Sequence, residues 1–195
     1  MYKNINLKNQ SKGFTLIELL IVIAILAILA TVVLLVINPV QMFAQARDSQ
    51  RLYDLNTLSN ATALYLTTVT SPSLMAAGTC GTNFWATLAS ATNRFVVAGA
   101  QITNYGTEID GTGWVPVAFS AISGGSPLSK LPIDPINDAT YFYSYSCNNT
   151  SKWFEFDAKM ESVRYSKDGP DDVESTDGGN QTAIYEVGND PGLDL

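Results

Sequence analysis

The chain contains no histidine, so serine–histidine and cysteine–histidine nucleophile pairs are excluded. Nor does it hold a glycine-rich phosphate loop after a strand, a paired-cysteine metal spacing, or two carboxylates placed as acid and base. The expectation is that it is not an enzyme. What remains is chemistry of cutting and pairing near the start, where Lys12-Gly13-Phe14-Thr15-Leu16-Ile17-Glu18 opens an apolar run. A secretory signal places its small-residue cleavage site after the apolar core. Here Lys3, Lys8, Lys12 and the small residue Gly13 all come before it. Cleavage between Gly13 and Phe14 would leave the run on the product and make Phe14 a positively charged N-terminus. Such an amine and the Glu18 carboxylate, on adjacent helices, could neutralise each other, whereas either alone is penalised in lipid. The plainer alternative is that Glu18 lies one turn inside a helix, near the headgroups and the positive end of the helix dipole.

Two further groups could do chemistry. Asp168, Asp171, Asp172, Glu174 and Asp177 concentrate oxygen ligands in a turn-rich segment, which suits calcium, although their spacing is not that of an EF-hand. A solvated acidic loop is the other reading. Cys80 and Cys147 are the only cysteines. On an exported domain they could form a disulfide worth about 4 kcal/mol in the chain-entropy model, or remain two buried thiols.

These groups need elements to position them. From Phe14 to Ile37 the only charge is Glu18, and at ~1.5 Å per residue the run makes a helix of about 36 Å, enough to cross a bilayer. A carboxylate at the middle of such a span costs about 2.5 to 3.5 kcal/mol. Lysines before the span and Arg47 and Arg51 after it modestly favour a cytoplasmic N-terminus. Asn38-Pro39 predicts a kink or short break, read either as a joint or as a tolerated proline at the membrane surface. Met42 to about Val69 reads as a second helical half, with an apolar stripe of Leu52, Leu55, Leu58, Ala61 or Thr62, Tyr65, Leu66 and Val69. Arg47, Asp48, Arg51 and Asp54 read as a paired, solvated face, or as contacts to neighbouring subunits.

Beyond Ser71-Pro72 the chain reads as one β-rich domain. Asn83 could cap a short helix through Ala91, followed by strands at Arg94–Ala98 and Trp114–Phe119, the latter an edge because of Pro116. The clearest signal is a hairpin, Tyr141–Cys147 and Trp153–Met160 around Asn148-Asn149-Thr150-Ser151. Phe154, Phe156, Ala158 and Met160 should face the helix stripe, with Glu155, Asp157 and Lys159 in water. Tyr141, Tyr143 and Tyr145 read as packing rather than an adhesive row. A last strand is expected over Thr182–Val187. The formal charge is −7, and loss of the three lysines in residues 1–13 would make it −10. That charge argues against binding of nucleic acid.

The stretch Lys12 to Glu18, with the apolar run behind it, resembles the class III signal of bacterial type IV pilins and type II secretion pseudopilins. The resemblance implies that a prepilin peptidase removes a leader, residues 1–13, and methylates Phe14. It also implies that Glu18 pairs with the Phe14 amine of a neighbouring subunit as a filament grows from the inner membrane. Leu131-Pro132-Ile133-Asp134-Pro135 ahead of Tyr141-Phe142-Tyr143 is similar to the entry into the sheet of G-type major pseudopilins, which bind calcium in a C-terminal acidic loop. The expected fold is therefore α+β and pilin-like: a filament-core helix over 14–37, an amphipathic half over 38–70, and a domain over 71–195 with a small antiparallel sheet. The expected partners are copies of itself, prepilin peptidase and inner-membrane assembly machinery. An uncleaved, membrane-tethered binding module, an adhesin or receptor, is the alternative. Motility, adhesion, DNA uptake and secretion are not distinguished by these residues.

Overall fold

A computed structural model describes residues 13–76, 79–96, 99–103 and 105–195. Lys3, Lys8 and Lys12 of the expected leader fall outside them. The chain divides into two compact units, one through Met42 and one from Phe43 to Leu195.

The first unit is built on α1 (Leu16–Ile37), whose 22 residues give a length of about 33 Å. Leu19 to Ile23, five consecutive residues that point all round a helix, are each between 47% and 61% exposed. No protein core covers any side of it there. Thr31, a polar residue within it, spends its hydroxyl on the Ile28 carbonyl, 2.8 Å away. The helix stops at Asn38, which is left-handed at φ 44° and ψ 73°. Pro39 has no N–H to continue the ladder and disfavours helical geometry at Asn38. The break expected at Asn38-Pro39 is present, and Asn38 also starts α2 (Pro39–Thr68) by accepting from the Gln41 and Met42 amides.

In the second unit the inner stripe of α2 is the one read from the sequence. Leu55, Leu58, Ala61 and Tyr65 are buried in one cluster with Trp85, Tyr145 and Phe156. Fully burying a side chain of this size stabilises by roughly 1.5 to 3 kcal/mol. The partner is a five-stranded sheet ordered β2-β1-β3-β4-β5. Its strands are β1 (Asn83–Ala86), β2 (Ala100–Ile102), β3 (Ser144–Asn148), β4 (Trp153–Ala158) and β5 (Tyr185–Gly188). The architecture is α+β, helix against sheet.

Two adjacent rows of register explain how both faces are used. Trp85, Tyr145, Phe156 and Val187 are successive partners across β1, β3, β4 and β5, and form the face toward α2. Ala86, Ser144, Asp157 and Glu186 are the next row, on the opposite face. A second cluster, Phe84, Ala86, Phe95 and Phe142, closes over part of that face.

Several expectations are corrected here. The sheet is mixed, because β1 and β2 run parallel. Asn83 begins a strand and not a helix: pairing with β3 and β2 on both sides overrides the local helical spacing of Phe84, Trp85 and Leu88. Arg94 to Val96 form no strand, and Val97 and Ala98 lie outside the described residues. Trp114–Phe119 makes only one isolated bridge, Asp110 to Ala118, before a short 3₁₀ turn at Phe119–Ala121. Trp114, Val115, Val117 and Phe119 are all fully buried, so this segment plugs the core and has no solvent face to alternate with. Glu155 and Asp157, expected in water, are 1% and 0% exposed. The hairpin is present around the expected turn but shorter: it pairs Ser144–Asn148 with Trp153–Ala158, with Asn148 opposite Trp153, and Tyr141–Tyr143 lie ahead of the strand. Tyr143 and Tyr145 are fully buried, as packing requires.

Candidate processing and assembly site

Gly13 and Phe14 precede α1 outside any helical bonding, and Phe14 is 86% exposed. A side chain built at Gly13 would meet nothing within 4 Å. Among the described residues, nothing in the packing therefore demands glycine there. Thr15 caps the helix in extended geometry, and the cap is reciprocal. The Glu18 amide donates to Thr15 Oγ1 at 3.3 Å, while Glu18 Oε2 accepts from the Thr15 amide at 2.8 Å and from its hydroxyl at 2.7 Å. The carboxylate thus turns back toward the chain's own N-terminal side, one residue from the Phe14 nitrogen. It also sits in the first turn, where the helix dipole favours negative charge.

Cys80 and Cys147 are joined in a disulfide with Cα atoms 4.9 Å apart. Cys147 lies in the main core on β3. The bridge therefore ties the segment ahead of β1 to the centre of the sheet.

The acidic segment is not gathered around one point. Asp171 pairs with Arg164. Asp172 accepts from the amides of Asp168 and Ser175, and the Ser175 bonds hold it below the usual carboxylate range. Glu174 accepts from the Met160 and Lys167 amides, and burial raises it despite those bonds. Asp177 accepts from Gly179 and Glu186. Asp172, Glu174 and Asp177 thus hold the segment by capping backbone amides, and Asp171 by its pair with Arg164.

Two buried sets were not found by sequence reasoning. Arg51, fully buried, donates to Asp134 through Nε at 2.7 Å and Nη2 at 2.9 Å, and to Asp48 through Nη1 at 2.8 Å. Asp48 accepts in turn from the Glu161 and Ser162 amides. Burial alone would make Arg51 easier to deprotonate, but its carboxylate partners outweigh this and raise it. The other set is Glu155, Asp157 and Glu186, the only three acids among the described residues whose oxygens converge. Burial, then the neighbouring carboxylates, push Glu155 up to about 10 and Asp157 well above its ordinary value. Glu186 rises to about 7, for burial first and then Asp177. The signal for Arg51 was Asp48 three residues before it; for the acids it was the even spacing of Glu155 and Asp157. Both patterns also describe a wet surface, and only the three-dimensional packing separates the two.

Residues 8–34 match the prokaryotic N-terminal methylation motif, which is consistent with type IV pilins and pseudopilins. No curated protein and no solved structure matches the chain.

Proposed function

We propose that this chain is a structural subunit of a type IV pilus or of a type II secretion pseudopilus. A prepilin peptidase cuts between Gly13 and Phe14 and methylates Phe14, and the product polymerises from the inner membrane through α1. The observation that carries this reading is the pairing of the methylation motif with a helix that is apolar and uncovered all round. Such a surface needs lipid first and neighbouring helices afterwards, and a filament core supplies the second. Before assembly the chain would cross the membrane once, with its N-terminus in the cytoplasm and residues 43–195 outside. Catalysis has no part in this role.

One observation favours the uncleaved, tethered module. Without a neighbouring amine Glu18 would lack a partner in that module, yet in the intact chain Thr15 already satisfies the carboxylate. N-terminal mass spectrometry of the membrane-resident protein distinguishes the two. Methylated Phe14 at the N-terminus is expected, and an intact Met1 would rule out processing. Glu18→Ala should still be cut but should assemble poorly; filament yield equal to the wild type would remove Glu18 from assembly.

A further inference from the structure

Among the described residues, five buried side-chain atoms have no hydrogen-bond partner: Ser144 Oγ, Asp157 Oδ1 and Oδ2, Glu186 Oε1 and Asp190 Oδ1. Four of the five belong to one row, because Ser144, Asp157 and Glu186 are register partners across β3, β4 and β5. Asp157 is 0% exposed and Glu186 2%. A desolvated carboxylate to which nothing donates is among the most expensive arrangements a protein can hold, and its persistence asks for a missing partner. Glu155, one same-face step along β4, completes the set. One oxygen from each of Glu155, Asp157 and Glu186 lies within 4.8 Å of the others.

The nearest positive charge does not supply that partner. Arg94 is buried, but it donates to the Phe142 and Thr140 carbonyls at 2.8 and 2.9 Å and stacks on the Phe142 ring at 3.6 Å. Were Glu155, Asp157 and Glu186 all ionised, Arg94 even at full charge would leave two negative charges uncompensated.

We propose that Glu155, Asp157 and Glu186, with the Ser144 hydroxyl, form an internal binding site for one calcium ion between β3, β4 and β5. The donors are all oxygen, which selects a hard cation; both cysteines are in the disulfide and no imidazole exists to hold zinc. Two oxygens on one calcium ion can be at most two bond lengths apart, about 4.8 Å, and the three carboxylate oxygens lie within that reach of one another. Magnesium keeps much of its water, and these side chains are closed to solvent. A divalent charge cancels the excess that Arg94 leaves. The proposal takes no ligand from the acidic loop, where Asp172, Glu174 and Asp177 accept from backbone amides and Asp171 pairs with Arg164. The proposal does not depend on how the N-terminus is processed.

The test uses the full chain in detergent, stripped with a chelator. Equilibrium dialysis against calcium should recover one ion per chain, and a hundredfold excess over Kd should raise the apparent Tm by about 5 to 10 °C. Asp157→Asn, nearly isosteric, should lose both effects, and Asp172→Asn in the acidic loop should keep both. No calcium bound by the wild type overturns the proposal, and leaves protons shared within the row as the neutralising agent. Calcium bound equally by the Asp157→Asn and Glu186→Gln variants overturns it too, by placing the ion elsewhere. Should Asp157→Asn not fold, Glu186→Gln decides the location by the same dialysis.

Discussion

Arg51 and Asp134 form a two-pronged ion pair, at 2.7 and 2.9 Å, in which both side chains are fully buried. It joins α2 to the Leu131–Pro135 segment, 83 residues away in sequence. Removing one partner of such a pair strands the other charge and costs about 3 to 5 kcal/mol. Asp134→Asn and Arg51→Met should each lower the unfolding free energy of the domain by that amount, read from the fall in its urea midpoint. Arg51→Lys should also lose stability, because an ammonium cannot reproduce the fork. A midpoint unchanged in Asp134→Asn would show that the pair contributes nothing.

Acid should weaken the same region through Glu161. Arg47 donates to it at 2.7 and 2.5 Å, and those bonds hold Glu161 below the ordinary glutamate range. Its folded value is therefore below its unfolded one. The contribution is complete above the unfolded value and disappears as pH falls through the folded value. The pair is partly exposed, so its worth is about 1 kcal/mol at most. Glu161→Gln should be less stable than the wild type near neutrality, with the gap closing below about pH 4. A gap that persists in acid would locate the effect elsewhere.

Reduction of the Cys80–Cys147 bridge should destabilise the domain by about 2 to 5 kcal/mol. Thermal melts with and without reductant measure this. The Cys80→Ala, Cys147→Ala double variant should reproduce the reduced curve and be insensitive to reductant.

Thr15→Val removes one half of the reciprocal cap and should cost about 1 kcal/mol at the start of α1. Amide exchange at Ile17 to Leu19 should accelerate while exchange in the sheet stays as it was. Equal protection in both proteins would mean that the cap has no part in ordering the first turn.

The sequence disclosed what is local. The apolar run, the Asn38-Pro39 break, the α2 stripe and the hairpin around Asn149 rest on periodicity and turn chemistry within short windows, and each is present, the hairpin with shorter strands than expected. The errors share a cause. Glu155 and Asp157 alternate with Phe154 and Phe156, and alternation says only that a strand has two faces, not that one is wet. Residues from Phe84, Phe95 and Phe142 close over the second face. Asp48, Arg51 and Asp54 have the spacing of surface pairs, yet Asp134 meets Arg51 from far along the chain and Tyr143 donates to Asp54 at 3.0 Å. Asn83–Ala86 becomes a strand because β3 lies beside it, a partner some sixty residues later. At the candidate processing site, residue order was informative while geometry was not: the reciprocal bonds of Thr15 and Glu18 emerge only with the helix built.

Asn38 ends one helix and begins the next, so each helix carries its own macrodipole, with the negative end of α1 and the positive end of α2 abutting at a single residue. Helical order spreads through a continuous ladder of bonds, and Pro39 removes the rung that would carry it across. A change in what surrounds α1 is therefore not transmitted to residues 43–195 as helix-to-coil cooperativity. The apolar half can exchange one environment for another while the domain keeps a separate melting transition.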